Sequence, residues 1–387
     1  MNETFKVVCV FDSFKGSLDS LAAGEAAKRG VLETAPDAEV SVFPIADGGE
    51  GTMEALMWAA GKERFSLEML AADHRAPITA NYGTLDRDGH TIAVLESAQT
   101  IGIDQVQVDE SLPPQASSYG FGLMLDEALT RGADEILVTL GGSATTDGGT
   151  GLFQALGATF YDAEGNEIPT DTNPLWHFDH ADFSGVRSVG GVQVTILNDV
   201  TNPMCGPAGA AATFGPQKGA TSEQVDHLDA QQEKWATALE EAWSVNIADV
   251  PGAGAAGGLG GAFLALGGEM QPGFIRIAQE LAVPEAIENA DLVLTGEGSL
   301  DWQSAYGKVP AGVGKLAQES GAVVVGLAGR VGYPLGELTE LLDGVFSIHC
   351  RPRSLEDALD REVTEQAIQN TASQVVQLVR QTTTKLS

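Results

Sequence analysis

The segment DEILVTLGGSATTDGGTG, residues 134–151, joins an apolar run to a glycine-rich loop. The apolar run predicts a buried strand, and the residues after it, GTGLFQALG, predict a helix. Backbone N–H groups in such a loop, together with the positive end of a helix dipole, favour a bound anion such as phosphate. The alternative is a tight turn that needs glycine at one or two positions. The hydroxyl residues Ser143, Thr145 and Thr146 favour the anion site.

The same strand–helix alternation occurs at both ends of the chain. KVVCVF (6–11) predicts a strand, followed by the helix SLAAGEAAKRGVLETA, the strand EVSVFPI and the helix GTMEALMWAAG. Near the other end, ADLVLTG (290–296), AVVVGLAG and GVFSI predict strands, and a last helix is predicted from about Ser354 to Lys385. Alternating strands and helices indicate an α/β fold with a parallel sheet.

The middle of the chain has a different pattern. ITANYGTLDRDGHTIAVLES predicts a hairpin around Asp88 and Gly89, and further strands and helices follow it. We therefore expect two α/β domains. One is discontinuous and built from residues 1–65 plus 286–387, and the other is an insertion of residues 66–285. Ligand sites favour domain boundaries and the carboxyl ends of strands, so we expect the active site in the cleft between the domains.

Composition restricts the possible partners. The chain has 54 acidic against 21 basic residues and a net charge of −33, which disfavours binding to nucleic acid or to an anionic membrane. It has neither a long apolar stretch nor a secretory signal, so we expect it in the cytoplasm. Its three cysteines lie at unrelated spacings and predict neither a disulfide framework nor a zinc site.

Five acidic residues directly follow apolar runs: Asp12, Asp47, Asp199, Glu297 and Asp301. Carboxylates at the carboxyl ends of parallel strands converge, and there they can hold magnesium or accept a proton. The alternative is that each begins a turn or caps a helix. Because five such acids occur, we favour a role in metal binding or proton transfer over a purely structural one.

Several of the scarce basic residues lie beside glycine, proline or small hydroxyl residues. These are Lys15, Lys218, Lys308 and Arg330, and we expect some of them to bind an anion. GxxxxGK[ST] does not occur, so this is no P-loop protein. GAGAAG (252–257) fits GxGxxG but does not follow an unbroken strand, which disfavours a dinucleotide site.

Six segments, in order along the chain, resemble the bacterial glycerate kinases. They are DSFKGSL, PIADGGEGT, GGSATTDGG, GAAATFGPQKGAT, GAGAAGGLGGA and TGEGSLDWQSAYGKVPAGV. The resemblance implies phosphorylation of D-glycerate by ATP with Mg²⁺, giving 2-phosphoglycerate. It also implies a Rossmann-like domain built from both termini and an inserted flavodoxin-like domain.

With this resemblance, the residue patterns suggest a role for each candidate in an in-line phosphoryl transfer. Asp199 and Asp47 are candidates for the base, and Lys15 is a third catalytic candidate. The expected substrate contacts are Asp12, Ser13, Glu50, Gln303 and Lys308. The expected ATP-phosphate contacts are Gly141, Gly142, Ser143, Thr145, Gly148 and Gly149. Magnesium is expected at Glu297 and Asp301.

Alternatives stay open from the sequence. The product could be the 3-phosphate, the acceptor could be a related compound such as tartronate or glycerol, or the protein could be a non-catalytic metabolite sensor. Either domain could take ATP, and the protein could be a monomer or a homodimer.

Overall fold

The computed structural model describes residues 4–305 and 307–386, with the side chains from 383 onward left out of the description. The chain divides into two compact units. The first contains the chain up to Asp47, Glu54–Ala59 and the chain from Gly273 onward; the second contains Gly48–Met53 and Ala60–Pro272.

The described strands are numbered in chain order. They are β1 (Lys6–Phe11), β2 (Glu39–Pro44), β3 (Gly61–Leu70), β4 (Pro77–Arg87), β5 (His90–Glu96), β6 (Glu135–Thr139), β7 (Thr159–Tyr161), β8 (His180–Asp182), β9 (Gln193–Leu197), β10 (Glu269–Gln271), β11 (Leu292–Leu300), β12 (Val323–Val331) and β13 (Gly344–Ser347).

The described α-helices are numbered in the same way. They are α1 (Ser20–Thr34), α2 (Thr52–Ala60), α3 (Ala98–Ile101), α4 (Tyr119–Thr130), α5 (Thr150–Ala155), α6 (Ala210–Phe214), α7 (Ser222–Trp243), α8 (Ala255–Ala265), α9 (Gly273–Glu280), α10 (Val283–Glu288), α11 (Val309–Ala317), α12 (Leu338–Leu341), α13 (Leu355–Leu359) and α14 (Arg361–Leu386).

The first unit is built on a five-stranded parallel sheet with the order β13-β12-β11-β1-β2. Alternate residues of β1, including Val7 and Cys9, are buried in one core with residues of α1 and α14. The intervening residues Val8 and Val10 are buried as well. A strand that is apolar on both faces is typical of a parallel sheet covered on both sides.

This strand order has a switch point between β1 and β11. From β1 the chain goes to β2 on one side, whereas β11, β12 and β13 are added on the other side. In open α/β sheets, the crevice outside the carboxyl ends of the strands at such a point is the usual ligand site. Asp12, the first residue after β1, lies at this place and donates its N–H to the Gly296 carbonyl oxygen at 3.0 Å.

The second unit is built on a six-stranded mixed sheet with the order β10-β9-β6-β5-β4-β3. β5, β6, β9 and β10 are parallel, and β3, β4 and β5 are antiparallel. The β4–β5 hairpin turns at Asp88 and Gly89, which both have positive φ, as the sequence predicts. The described strands of the six-stranded sheet lie in chain order from one edge to the other, so this sheet has no switch point.

The two units begin and end at places that differ from the expected domain boundaries. The boundary expected at 65/66 falls inside β3, which pairs with β4 from Gly61 to Leu70 and therefore belongs to the second unit. The boundary expected at 285/286 falls inside α10. Helices α9 and α10 contact α11, so the first unit already resumes at Gly273.

The expected α/β fold class is confirmed. The predicted last helix is interrupted, because Asp360 has an extended backbone with ψ 133° between α13 and α14. The GAGAAGGLGGA segment is also not a continuous helix, since residues 256–258 have positive φ inside α8. Among the described residues, none of the helices is long and apolar enough to cross a lipid bilayer.

Candidate active site

A cavity of about 390 Å³ opens in the first unit at the switch point of its sheet. It lies where β1, β11 and β12 present their carboxyl ends. It is lined by seven of the residues singled out from the sequence: Asp12, Ser13, Lys15, Asp47, Glu297, Lys308 and Arg330. Carboxylates and lysines that are far apart in sequence therefore share one cavity, because the parallel strands that carry them end at the same edge.

Asp12 is the carboxylate most perturbed by this environment. Its side chain is buried, with 8% exposure, and Oδ1 accepts the Ser13 N–H at 2.6 Å. Burial, followed by the charge of Asp47, raises the pKa of Asp12 to about 7. A carboxyl group with such a pKa takes up and releases a proton near neutral pH, as a general base must.

Glu297 lies in β11 and is held by two partners. Oε1 accepts the Ser304 hydroxyl at 2.7 Å, and Oε2 is 3.1 Å from Lys308 Nζ. Burial raises the pKa of Glu297, while Ser304 and Lys308 oppose that rise. The ion pair fixes the ammonium group of Lys308 beside the cavity.

The remaining predicted residues of this segment lie in the turn after β11. Asp301 Oδ1 accepts the Gln303 N–H at 2.9 Å, and Gln303 is exposed. Neither is among the described residues that line the cavity. Asp301 thus organises a turn, which is one of the two roles that the sequence left open.

The carboxylates of the cavity fit a magnesium ion that is bound together with phosphates. Mg²⁺ in such sites takes one or two carboxylates, and waters and substrate phosphates complete its coordination. The charges of Asp47 and Glu297 both raise the pKa of Asp12, so a cation among these groups would be stabilised. Within the described part of the chain, no group of three His, Cys, Asp or Glu forms a complete protein cage for a metal.

The glycine-rich loop belongs to the second unit, and its glycines are closely packed. A Cβ at Gly148 would lie 2.7 Å from Trp235 Cδ1, and one at Gly149 would lie 2.4 Å from Ala262 Cβ. The Gly148 N–H donates to the Gly257 carbonyl at 2.9 Å. Much of the glycine content of the loop is therefore needed for packing against the rest of this unit.

Asp147 organises the loop from inside. It is fully buried and accepts four hydrogen bonds: from the N–H and hydroxyl groups of Ser118, both at 2.7 Å, and from the N–H groups of Gly149 and Gly151, both at 3.2 Å. Burial raises its pKa against these bonds. The sequence analysis did not single out Asp147, although an acid between the threonines and glycines of the loop was the available signal.

Lys218 supports the other side of the loop. It is 3% exposed, and its Nζ donates to Ser143 Oγ at 3.0 Å and to the Thr145 carbonyl at 2.6 Å. Burial lowers the pKa of Lys218 to about 7, against the opposing charge of Asp147. The Thr145 hydroxyl is buried and has no hydrogen-bond partner among the described residues.

The other predicted residues of the second unit lie at its surface. Asp199 follows β9 and is exposed, as is Glu50. Gly141 packs against the segment that carries Glu50, since a Cβ at Gly141 would lie 3.0 Å from Gly49 Cα. Gly142 is exposed and has a φ of 73°.

Comparisons with known proteins agree with this architecture. The model of the glycerate kinase family matches residues 7–380. The chain is 38% identical to a glycerate kinase of Bacillus subtilis (strain 168) over 358 residues, which are 92% of this chain and 93% of the relative. It is 38% identical to the glycerate 2-kinase of Escherichia coli (strain K12) over 357 residues, 91% of this chain and 93% of the relative.

A crystal structure is similar over almost the whole chain. It is that of "putative glycerate kinase 2" from Salmonella typhimurium LT2, with a TM-score of 0.84 and 36% sequence identity, covering 99% of this chain and 100% of that one. The chain therefore belongs to the glycerate kinase family and is an enzyme of the kinase class.

Proposed function

We propose that this enzyme transfers the γ-phosphoryl group of ATP to the 2-hydroxyl of D-glycerate, with Mg²⁺, and releases 2-phosphoglycerate. The observation that supports it most directly is the cavity at the switch point, where Asp12 with its raised pKa shares the lining with Lys15 and Lys308. A hydroxy acid needs both a proton acceptor and cations for its carboxylate. The glycerate 2-kinase of Escherichia coli, 38% identical to this chain, supports the choice of substrate and hydroxyl.

The lysines bind the anionic parts of the reaction. Lys15 is exposed and lines the cavity, so its side chain can follow a small ligand. Lys308 is held by Glu297, so its position is fixed. Cations at a phosphoryl-transfer site stabilise the charge on the equatorial oxygens in the transition state. The Ser13 side chain also lines the cavity and is a contact for the acceptor.

Asp12 is the proton acceptor in this proposal. Of the carboxylates predicted as bases from the sequence, Asp47 lines the same cavity and Asp199 lies in the second unit. Asp12 is favoured because its pKa of about 7 lets it accept the hydroxyl proton and release it again near neutral pH. The negative charge of Asp47 contributes to this raised pKa of Asp12 while no cation is bound beside it.

The nucleotide requires phosphate contacts and a divalent ion. When bound, Mg²⁺ neutralises charge on the phosphate oxygens. Asp47 and Glu297 would hold it in the cavity, whereas Asp301, the other candidate from the sequence, lies in the turn after β11 and is not among the described lining residues. In the glycine-rich loop, the N–H groups of Gly148 and Gly149 donate within the protein. Gly141, Gly142 and Ser143 are therefore the loop positions we assign to an ATP phosphate.

Phosphorus NMR tests this proposal directly. The enzyme is incubated with ATP, Mg²⁺ and D-glycerate, and we expect the resonance of 2-phosphoglycerate to grow together with ADP. The 3-phosphate would show that the hydroxyl is assigned wrongly. ADP release that does not depend on glycerate would contradict the proposal. Parallel reactions with tartronate and glycerol measure acceptor choice, and we expect glycerol to fail because it has no carboxylate for the lysines.

A further inference from the structure

A second concave surface of the first unit carries mostly positive charge. This cationic groove has a volume of about 510 Å³ and continues from the cavity, with which it shares Arg330 and His349. Arg351 and Arg353 also line it. It forms where β12 and β13 present their carboxyl ends, together with the segment that follows β13.

The cationic groove is unusual for this chain, which has 54 acidic residues against 21 basic ones. None of the described residues that line the groove is Asp or Glu. Elsewhere arginines lie against carboxylates, as Arg187 does with Asp126 at 2.6 Å and Arg131 with Glu127 at 2.7 Å. Three guanidinium groups without a carboxylate in the lining repel one another, so their convergence favours an anion from solution.

Two side-chain nitrogens of residues that line the groove are buried and have no hydrogen-bond partner among the described residues. They are Arg353 Nε and His349 Nδ1. Buried polar atoms in folded proteins almost always have a partner, and a buried donor without one is destabilising. The cationic groove thus offers positive charge and one donor, Arg353 Nε, that the described protein atoms do not use.

We propose that the cationic groove is a binding site for a phosphate-bearing anion. The inference goes beyond the proposed function, because none of the residue roles assigned above includes Arg351, Arg353 or His349. Arginine binds phosphate through two parallel hydrogen bonds from its planar fork. Three arginines match an oxyanion that carries two or more charges better than they match a single carboxylate.

Three sources share this chemistry: the phosphate chain of the nucleotide, the phosphate ester formed in the reaction, and free phosphate. Exposed Tyr333 also lines the groove, and it could contact the organic part of a larger ligand. The experiment below distinguishes the sources by their relative affinities.

Calorimetric titrations of the whole enzyme without turnover test the site. The titrants are inorganic phosphate, pyrophosphate, ADP and 2-phosphoglycerate, each with the wild type, Arg351→Gln and Arg353→Gln. We expect at least one titrant to bind and each substitution to weaken it about tenfold or more. The titrant whose affinity the two groove substitutions weaken most identifies the source.

Arg361→Gln is the matched control. This substitution removes the same charge as the two groove variants. Arg361 lies on α14 with its Nε 3.2 Å from Glu365 Oε1, and it is not among the described residues that line the groove. The Arg361→Gln variant should bind the titrants with the same affinity as the wild type. The proposal is overturned if none of the four anions binds, if both groove variants bind like the wild type, or if the control weakens binding equally.

Folding and turnover are measured separately. Arg351 is exposed, so Arg351→Gln tests the site even if Arg353→Gln fails to fold, and circular dichroism verifies each variant. Phosphorus NMR of glycerate turnover by the wild type tests the proposed function independently. An enzyme that binds these anions in the groove without phosphorylating glycerate would overturn only the proposed function.

Discussion

The two units each contain one buried ionisable group with a pKa of about 7, reached from opposite directions. In the first unit burial raises the pKa of Asp12, and in the second it lowers the pKa of Lys218. Asp12 lines a cavity, whereas the Lys218 ammonium donates to Ser143 and Thr145. A perturbed pKa therefore marks a reactive group only when the group faces space that a ligand can enter.

The two sheets also differ in whether they have a switch point with a cavity beside it. The first has a switch point between β1 and β11, and its cavity lies there. The described strands of the second follow chain order, and much of the glycine-rich loop beside them is bonded and packed internally. We therefore propose that proton transfer takes place in the first unit and that the loop is largely structural, with only a few N–H groups left for phosphate.

Asp12→Asn should have the largest effect. It removes the proton acceptor while keeping the shape of the side chain, so we expect kcat to fall about 10²–10⁴-fold, the usual contribution of a positioned general base. Steady-state kinetics measures it.

Asp37→Asn, at an exposed turn after α1, is the control and should keep the wild-type kcat. Asp199→Asn sharpens the comparison. If that variant loses activity while Asp12→Asn does not, the base lies in the second unit and our assignment is wrong.

Lys308→Met should have the next largest effect. It removes a cation from the cavity and leaves Glu297 without its ion-pair partner, so we expect kcat/KM for glycerate to fall about 10-fold to 100-fold. Lys62→Met breaks the exposed pair of Lys62 with Asp86, and as the control it should keep the wild-type kcat/KM. Unchanged kcat/KM in Lys308→Met would show that Lys308 does not contact the ligand.

Stability should depend on pH in opposite ways for the two groups. Because the folded pKa of Asp12 is raised from 3.8 to about 7, the folded state holds more protons between these values, and stability falls as pH rises through that window. The folded pKa of Lys218 is lowered from 10.5 to about 7. Between these values the unfolded state holds more protons, so stability rises with pH in that window. Each slope is at most about 1.4 kcal/mol per pH unit.

Urea unfolding of the wild type, Asp12→Asn and Lys218→Met across these pH ranges measures both slopes. Each variant should lose the slope of its own group and keep the other, whatever its absolute stability. A Lys218→Met protein whose stability still changes with pH like that of the wild type would show that Lys218 is not the buried titrating group.

The sequence predicted much of the fold because periodicity reports burial. The strand KVVCVF coincides with β1, and the hairpin predicted around Asp88 and Gly89 is the turn between β4 and β5. The helix break at Asp360 was missed because the apolar period continues through it. The sequence analysis predicted no strand for β3 because four of its ten residues are charged and seven are exposed.

The candidate site was predictable in part. Acids after apolar runs indicated Asp12 and Glu297, since parallel strands bring their carboxyl ends to one edge. Local sequence could not tell which of them would line a cavity and which, like Asp301, would only hold a turn. The Glu297–Lys308 pair and the bonds of Lys218 depend on tertiary packing, so no local pattern could reveal them. The cationic groove is likewise formed by residues from different elements.

Gly148→Ala should have the smallest effect on activity, and it tests whether the loop glycines serve packing. Gly148 has a φ of 63°, and a Cβ there would press on Trp235, so we expect a loss of about 2–3 kcal/mol in unfolding free energy with little change in KM for ATP. Gly165→Ala isolates the backbone cost, because Gly165 has a φ of 78° and open space around it; its loss in unfolding free energy should be about 1 kcal/mol. The opposite outcome is that Gly148→Ala raises KM for ATP and loses no more unfolding free energy than Gly165→Ala. Glycine would then be required at this position for phosphate binding and not for packing against Trp235.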